Sequence, residues 1–276
     1  MNRIILTIAL LLCSAIALLA VEKQPAPLTP ADMGAASVKV IMPKSVDILN
    51  ALDSLSKGSQ SAVNWKKLVA YTRENEFFEK TNYSDNPTRA LNLGLRVANA
   101  FIAVEAEDKE ALDKTSDTLV VLGRSLGVAE EIIGQRERIG DLARANKWQQ
   151  VRQTVLELQE QVEEQLQNKD RRDEATLVVT AGWLQGLHAV TKALSENYSP
   201  EAASILRQGD LVKSLETQLQ ALGDEAKGHA LVKRIIAKLP DIQRMCAVAQ
   251  EQPVTQENTK KLFDISSELV SAISKG

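Results

Sequence analysis

Apolar side chains recur three and four residues apart along most of this 276-residue sequence, and that spacing is the period of an α-helix. No sustained alternation of apolar and polar residues, which is typical of strands, accompanies it. Aromatic residues make up only 4% of the chain, so the core must consist mainly of aliphatic side chains, which favours helix packing. The sequence therefore predicts an all-α fold. The clearest amphipathic stripe consists of Trp148, Val151, Val155, Leu158, Val162 and Leu166.

Prolines and capping residues divide this pattern into separate helices. Asp85 or Asn86 before Pro87, and Ser199 before Pro200, predict helix starts, because a side-chain oxygen accepts a free amide and proline lacks the N–H that would be unpaired there. Pro240 predicts a kink, with the helical pattern continuing beyond it. The many short helices predict a multi-helix bundle or stacked antiparallel α-hairpins.

This order of short amphipathic helices with tight connections resembles the layout of α-hairpin repeat proteins of the tetratricopeptide type. No 34-residue consensus aligns with the chain, so the resemblance covers the general layout and carries over no functional residue. The tripeptides Asn82-Tyr83-Ser84 and Asn197-Tyr198-Ser199 both precede helix-initiating prolines, which suggests an old duplication. Both are also formal glycosylation sequons.

The first twenty residues carry the pattern of a secretory signal. Arg3 precedes an apolar stretch over residues 4–21, and small residues follow near its end. We therefore expect residues 1–20 to be a signal peptide, residues 21–37 to be a flexible proline-rich linker, and residues 38–276 to be a single helical domain. Two sub-bundles with a boundary near 169–173 are an alternative within that domain. The protein is expected to be exported, periplasmic or secreted, or else tethered by an uncleaved N-terminal anchor.

Residues 175–191 contain no Asp, Glu, Lys or Arg and carry apolar side chains on every side, which predicts a buried helix. Within and just beyond this stretch Gly182, Gly186, Ala189 and Ala193 share one face. Small residues in this spacing let a neighbouring helix backbone approach closely, and close helix packing is the favoured interpretation. The alternative is a small-ligand pocket, whose candidate residues are Gly182, Trp183, Gly186, His188 and Tyr198.

One catalytic motif is present, because residues 123–127 have the form G-x-S-x-G around Ser125. The alternating strands and helices of an α/β-hydrolase are missing from the pattern, and only His188 and His229 could act as a base. The residues around the motif read continuously at helical period, so the glycines are better explained by a helix end. A serine hydrolase is thus a remote hypothesis.

Metal, cofactor and thiol chemistry find no motif in the sequence. The two histidines lie 41 positions apart, no C-x-x-C or H-E-x-x-H motif occurs, and glycine-rich phosphate loops are absent. We therefore expect no metal and no cofactor. Without the signal peptide Cys246 would be the single cysteine, and its spacing predicts a packed helix position rather than a reactive thiol.

The leading functional hypothesis is a non-enzymatic protein-interaction or scaffold module that acts outside the cytoplasm. A small-ligand-binding helical bundle is the alternative hypothesis. The net charge of −3 and the lack of Lys and Arg clusters interleaved with aromatic residues argue against nucleic acid as a partner. Membrane contact is expected only through an uncleaved signal sequence, and the oligomeric state stays open.

Overall fold

The structure is a computed structural model, which describes residues 64–168, 171–249 and 251–276. Within these residues the chain is entirely helical, as predicted, and contains no strand. The proposed signal peptide and linker fall outside the described residues. The α-helices are α1 (Trp65–Arg73), α2 (Asn86–Glu105), α3 (Lys109–Ser125), α4 (Glu130–Ile133), α5 (Gln135–Arg144), α6 (Trp148–Asn168), α7 (Arg172–Glu196), α8 (Pro200–Ala203), α9 (Gly209–Gln220), α10 (Asp224–Gly228), α11 (Ala230–Cys246) and α12 (Gln256–Lys275).

Side-chain caps start several helices where the sequence predicts them. The Asp85 carboxylate accepts the backbone N–H of Thr88 at 2.8 Å at the start of α2, and the Ser199 hydroxyl accepts that of Ala202 at the start of α8. A proline follows each cap in the first turn, where its missing N–H leaves no hydrogen bond unmade. Helix α11 continues through Pro240 to Cys246, so the expected continuation is confirmed.

Helices α2 and α7 pack along each other at the centre of the described fold, and both are buried over most of their length. The uncharged stretch 175–191 lies in α7 and all but one of its residues are buried, which confirms the prediction of a buried helix. Gly94 of α2 marks the closest approach, because a Cβ there would lie 2.9 Å from the backbone nitrogen of Gly182 and closer still to the carbonyl oxygen of Val178. Only glycine allows the two backbones to lie this near.

The other helices surround this central pair. Helix α3 packs against α2, α5 packs against α6, α9 pairs with α11, and α12 lies along α7. Two tyrosines fix the ends of α12: the Tyr83 hydroxyl donates to the carbonyl oxygen of Ser274 at 2.9 Å, and the Tyr198 hydroxyl donates to that of Val254 at 3.0 Å. The two Asn-Tyr-Ser tripeptides therefore hold the two ends of one helix. No described helix has the length and apolarity needed to cross a bilayer.

Candidate functional site

A pocket of about 480 Å³ lies beside the central helix pair. Its walls are the end of α1, the segment 74–77, α2, α7 and α12. We call it the polar pocket, because Arg96, Asn99, Gln185 and His188 all line it and all four side chains are buried. Four buried polar side chains at one pocket are unusual, since buried polar groups are normally few and fully hydrogen-bonded. The volume falls within the range of small-molecule sites, about 300–1,000 Å³.

Arg96 is the most deeply buried charged residue of the pocket, with 1% of its surface exposed. Its Nη2 donates to the carbonyl oxygen of Phe77, and its guanidinium lies 5.7 Å from the ring centre of Phe78. Its Nε has no hydrogen-bond partner and no described carboxylate forms an ion pair with it. Burial lowers the pKa of this guanidinium and the nearby Tyr83 opposes the effect, yet arginine stays protonated in proteins. Arg96 is therefore a buried cation without a counter-ion among the described residues.

Asn99 and Gln185 connect the two central helices across the pocket wall. The amide nitrogen of Gln185 donates to the side-chain oxygen of Asn99 at 2.7 Å. The side-chain oxygen of Gln185, Oε1, is buried and has no partner. A buried acceptor of this kind costs about 1–3 kcal/mol when it is left unpaired. Two residues that line the pocket thus each carry a buried polar atom without a partner, a donor on Arg96 and an acceptor on Gln185.

His188 closes one side of the polar pocket within an aromatic cluster. Its ring stacks on Phe263 with centroids 5.3 Å apart, and the ring of Tyr71 lies 5.5 Å away. The Nδ1 atom lies 3.5 Å from the Ser266 hydroxyl. Burial, together with the nearby Lys192, lowers the pKa of His188 to about 4. The imidazole is therefore neutral at neutral pH, which suits a polar wall better than a proton-transfer group.

The candidate residues from the sequence do not form one site. His188 lines the polar pocket, whereas Gly182 lies at the contact of α7 with Gly94. Trp183 is fully buried and its indole N–H donates to Gln208 at 3.0 Å. It projects about 140° around the helix from His188, because five residues separate them. Tyr198 bonds to the chain before α12. Gly186 is buried on α7, and the favoured interpretation of close helix packing holds at Gly182.

Ser125 of the G-x-S-x-G motif is the last residue of α3. Its hydroxyl donates to the carbonyl oxygen of Leu122 at 2.7 Å, a bond within its own helix. Gly127 has a φ of 66°, the left-handed conformation that glycine supplies after a helix end. The helical explanation of these two glycines is thus confirmed at Gly127, while Gly123 lies inside α3.

Cys246 ends α11 and is buried, as its spacing predicts. Burial raises the pKa of its thiol to about 12, so the nucleophilic thiolate is scarce at neutral pH. Among the residues that the structure describes, no group of three or more His, Cys, Asp or Glu side chains is placed to hold a metal ion.

A second cavity, about 110 Å³ in volume, also borders the central helix pair. We call it the apolar cavity, because Leu93, Val97, Val155, Leu158 and Val178 are typical of its lining. It lies among α2, α3, α5, α6 and α7 and also touches Gly123. Ser116, Gln159 and Arg136 also line it, so the cavity is apolar over most of its surface but not over all of it.

Arg96, Asn99 and Gln185 are not among the site residues that the sequence predicts. A usable signal was present for Arg96, since it is the only charged residue between positions 90 and 104. That stretch resembles residues 175–191, whose lack of charge predicts burial correctly. A lone charge in an otherwise uncharged helix would have marked Arg96 as a buried functional candidate.

Comparisons of this chain with protein-family models, with curated proteins and with solved structures find no match.

Proposed function

We propose that this chain is a non-enzymatic binding protein for a small polar molecule held in the polar pocket. The observation that carries the proposal is the pair of buried, unpaired polar atoms on Arg96 and Gln185 at one pocket. Unpaired buried polar atoms also occur elsewhere among the described residues, but the polar pocket brings two of them, one on a cation, to the lining of one pocket. Each costs about 1–3 kcal/mol while it is unpaired. A bound polar molecule would satisfy them.

The nucleophilic residues and the buried histidine support binding rather than catalysis. His188 has a depressed pKa, the Cys246 thiol has a raised one, and the Ser125 hydroxyl bonds to its own helix. General acid–base catalysis is most efficient when the pKa of the group lies near the working pH, and neither His188 nor Cys246 meets that condition. The remote serine hydrolase hypothesis would require labelling of wild type, but not of Ser125→Ala, by a fluorophosphonate probe.

Thermal unfolding in the presence of a panel of small carboxylates, amines, amides and sugars tests the proposal. We expect at least one class to raise the unfolding temperature and to bind with saturation in calorimetry. Gln185→Leu should weaken that binding. Gln159→Leu, which changes a glutamine beside the apolar cavity, is the matched control and should leave binding unchanged. Binding that is equal in wild type and Gln185→Leu, or no binding by any class, would contradict the proposal.

We also propose that the protein acts outside the cytoplasm, on the basis of the signal-like residues 1–20 alone. Fractionation of the native host and N-terminal sequencing of the product test this. A cytosolic product with an intact N-terminus would exclude export.

The hypothesis of a protein-docking module stays a prediction. A crosslinked pull-down with the protein as bait would test it, and a specific partner would place this function beside ligand binding. Among described residues, Val121 of α3 is the large apolar side chain that stands exposed.

A further inference from the structure

Arg96 is the feature of the polar pocket that most restricts the chemistry of a ligand. Its guanidinium is buried, bonds to one backbone carbonyl and lies against one aromatic ring. Buried charges in proteins are normally paired with an opposite charge, because the cost of removing an ion from water otherwise stays uncompensated. The described residues supply no such partner for Arg96.

The acids nearest to the pocket do not replace that partner. Glu74 and Glu76 line the polar pocket, but both are exposed and neither forms an ion pair with Arg96 among the described contacts. Exposed charges are screened by solvent and salt. Inside the pocket the uncompensated charge is therefore positive.

We infer that the polar pocket selects a small ligand with a carboxylate group that pairs with the Arg96 guanidinium; this inference rests on the proposed binding function. A carboxylate is planar and accepts parallel hydrogen bonds from a guanidinium, and Arg96 lines the pocket. The unpaired oxygen of Gln185 is an acceptor, so the ligand also carries an N–H or O–H donor. Leu95 and Val270 complete the lining with apolar surface for a short hydrocarbon part.

N-acetylalanine is a suitable probe, because it combines a carboxylate, an N–H donor and a methyl group. Its primary amide has nearly the same shape without the charge. Calorimetry of the full chain with both compounds isolates the contribution of the carboxylate. We expect the acid to bind about ten- to a hundredfold more tightly than the amide, the range for hydrogen bonds to a charged group. Inorganic phosphate is the third probe and distinguishes a carboxylate from other oxyanions.

Arg96→Met should remove the preference for the acid over the amide. Arg89→Met is the matched control, since Arg89 lies on the same helix and bonds to the chain around Tyr83 outside the pocket lining. It should retain the preference in full. If Arg96→Met does not fold, NMR of the wild-type protein takes its place, with the Nε–H signal of Arg96 as the readout. The acid should shift this signal and slow its exchange with water, and the amide should do neither.

Each other outcome overturns the inference. Equal affinity for acid and amide, a preference for the acid that survives Arg96→Met, phosphate binding without binding of the acid, or no binding of any probe would each do so. If amides or sugars bind in a manner that depends on Gln185 while carboxylates do not, the proposed binding function stands and only the carboxylate inference fails.

Discussion

The polar pocket and the apolar cavity border the same two helices, α2 and α7, yet they have opposite chemistry. On α2, Leu93 and Val97 line the apolar cavity while Arg96 and Asn99 line the polar pocket. A void of about 110 Å³ lowers the free energy of unfolding by about 2–3 kcal/mol, at the loss of stability per Å³ known for cavities in protein cores. Two unpaired buried polar atoms cost a similar amount. Arg136, which lines the apolar cavity, also has an unpaired Nε, but its guanidinium forms ion pairs with Asp113 and Asp117. Arg96 has no such counter-ion among the described residues, and that is the difference between the two sites.

The largest expected effect comes from Gly94, where the backbone of α2 comes closest to that of α7. Both the pocket and the cavity border this helix pair. Gly94→Ala should lower the free energy of unfolding by at least about 3 kcal/mol, because the new Cβ meets backbone atoms of α7 that cannot rotate away. Denaturant unfolding measures the change. Gly228→Ala is the control, since nothing lies within 4 Å of its Cβ position, and it should be neutral or slightly stabilising. A loss below about 1 kcal/mol at Gly94 would contradict the close approach.

His188 lines the polar pocket and not the apolar cavity, and it should make the free energy of unfolding depend on pH. Its pKa falls from 6.5 in the unfolded chain to about 4 in the folded one, so between these values the unfolded state binds more protons. Its contribution to stability is therefore complete above about pH 6.5 and is lost as pH falls towards 4, up to about 3 kcal/mol. Unfolding of wild type and His188→Gln across this window measures the contribution. A His188→Gln profile that matches wild type between pH 4 and 6.5 would contradict the buried, neutral imidazole.

Helix α12 forms a wall of the polar pocket but not of the apolar cavity. A change at Tyr83, which bonds to the end of α12, tests whether this wall is independent of the cavity. Tyr83→Phe removes the hydroxyl that holds the end of α12 at Ser274 and should cost about 0.5–1.5 kcal/mol. Hydrogen exchange should accelerate at the end of α12 and stay unchanged in α3, which borders the apolar cavity. Equal acceleration in both helices would show that the two sides are not independent.

Gly123 offers the smallest effect, on the apolar side, and it has the opposite sign. A Cβ at this position would make ordinary contacts of 3.7 and 3.8 Å with Val128 and Ile133. Gly123→Ala should therefore raise the free energy of unfolding by about 0.5–1 kcal/mol, because alanine favours the helix. Denaturant unfolding checks this, and binding in the polar pocket should not change. A destabilised variant would mean that the cavity wall is tighter than described.

The helices were more predictable from sequence than the site. Caps such as Asp85 and Ser199, and the uncharged stretch 175–191, act through neighbours in the chain, so local pattern suffices to find them. The polar pocket depends on which residues of α2 face α7 and α12, and that depends on packing between distant segments. His188 lies in the uncharged stretch 175–191 and is a sequence candidate for that reason, whereas Arg96 and Asn99 lie on α2, where the charge of Arg96 interrupts the same pattern.

The position of α12 in the chain sets when the pocket can exist during synthesis. Residues 256–275 supply one wall, and Tyr83 reaches them across 191 positions of sequence. A ribosome produces α2 and α7 well before α12, and segments made earlier begin to fold earlier. A nascent chain that ends before α12 therefore has Arg96 but no enclosed pocket around it. Capacity to hold a ligand should appear only after this helix has emerged and docked.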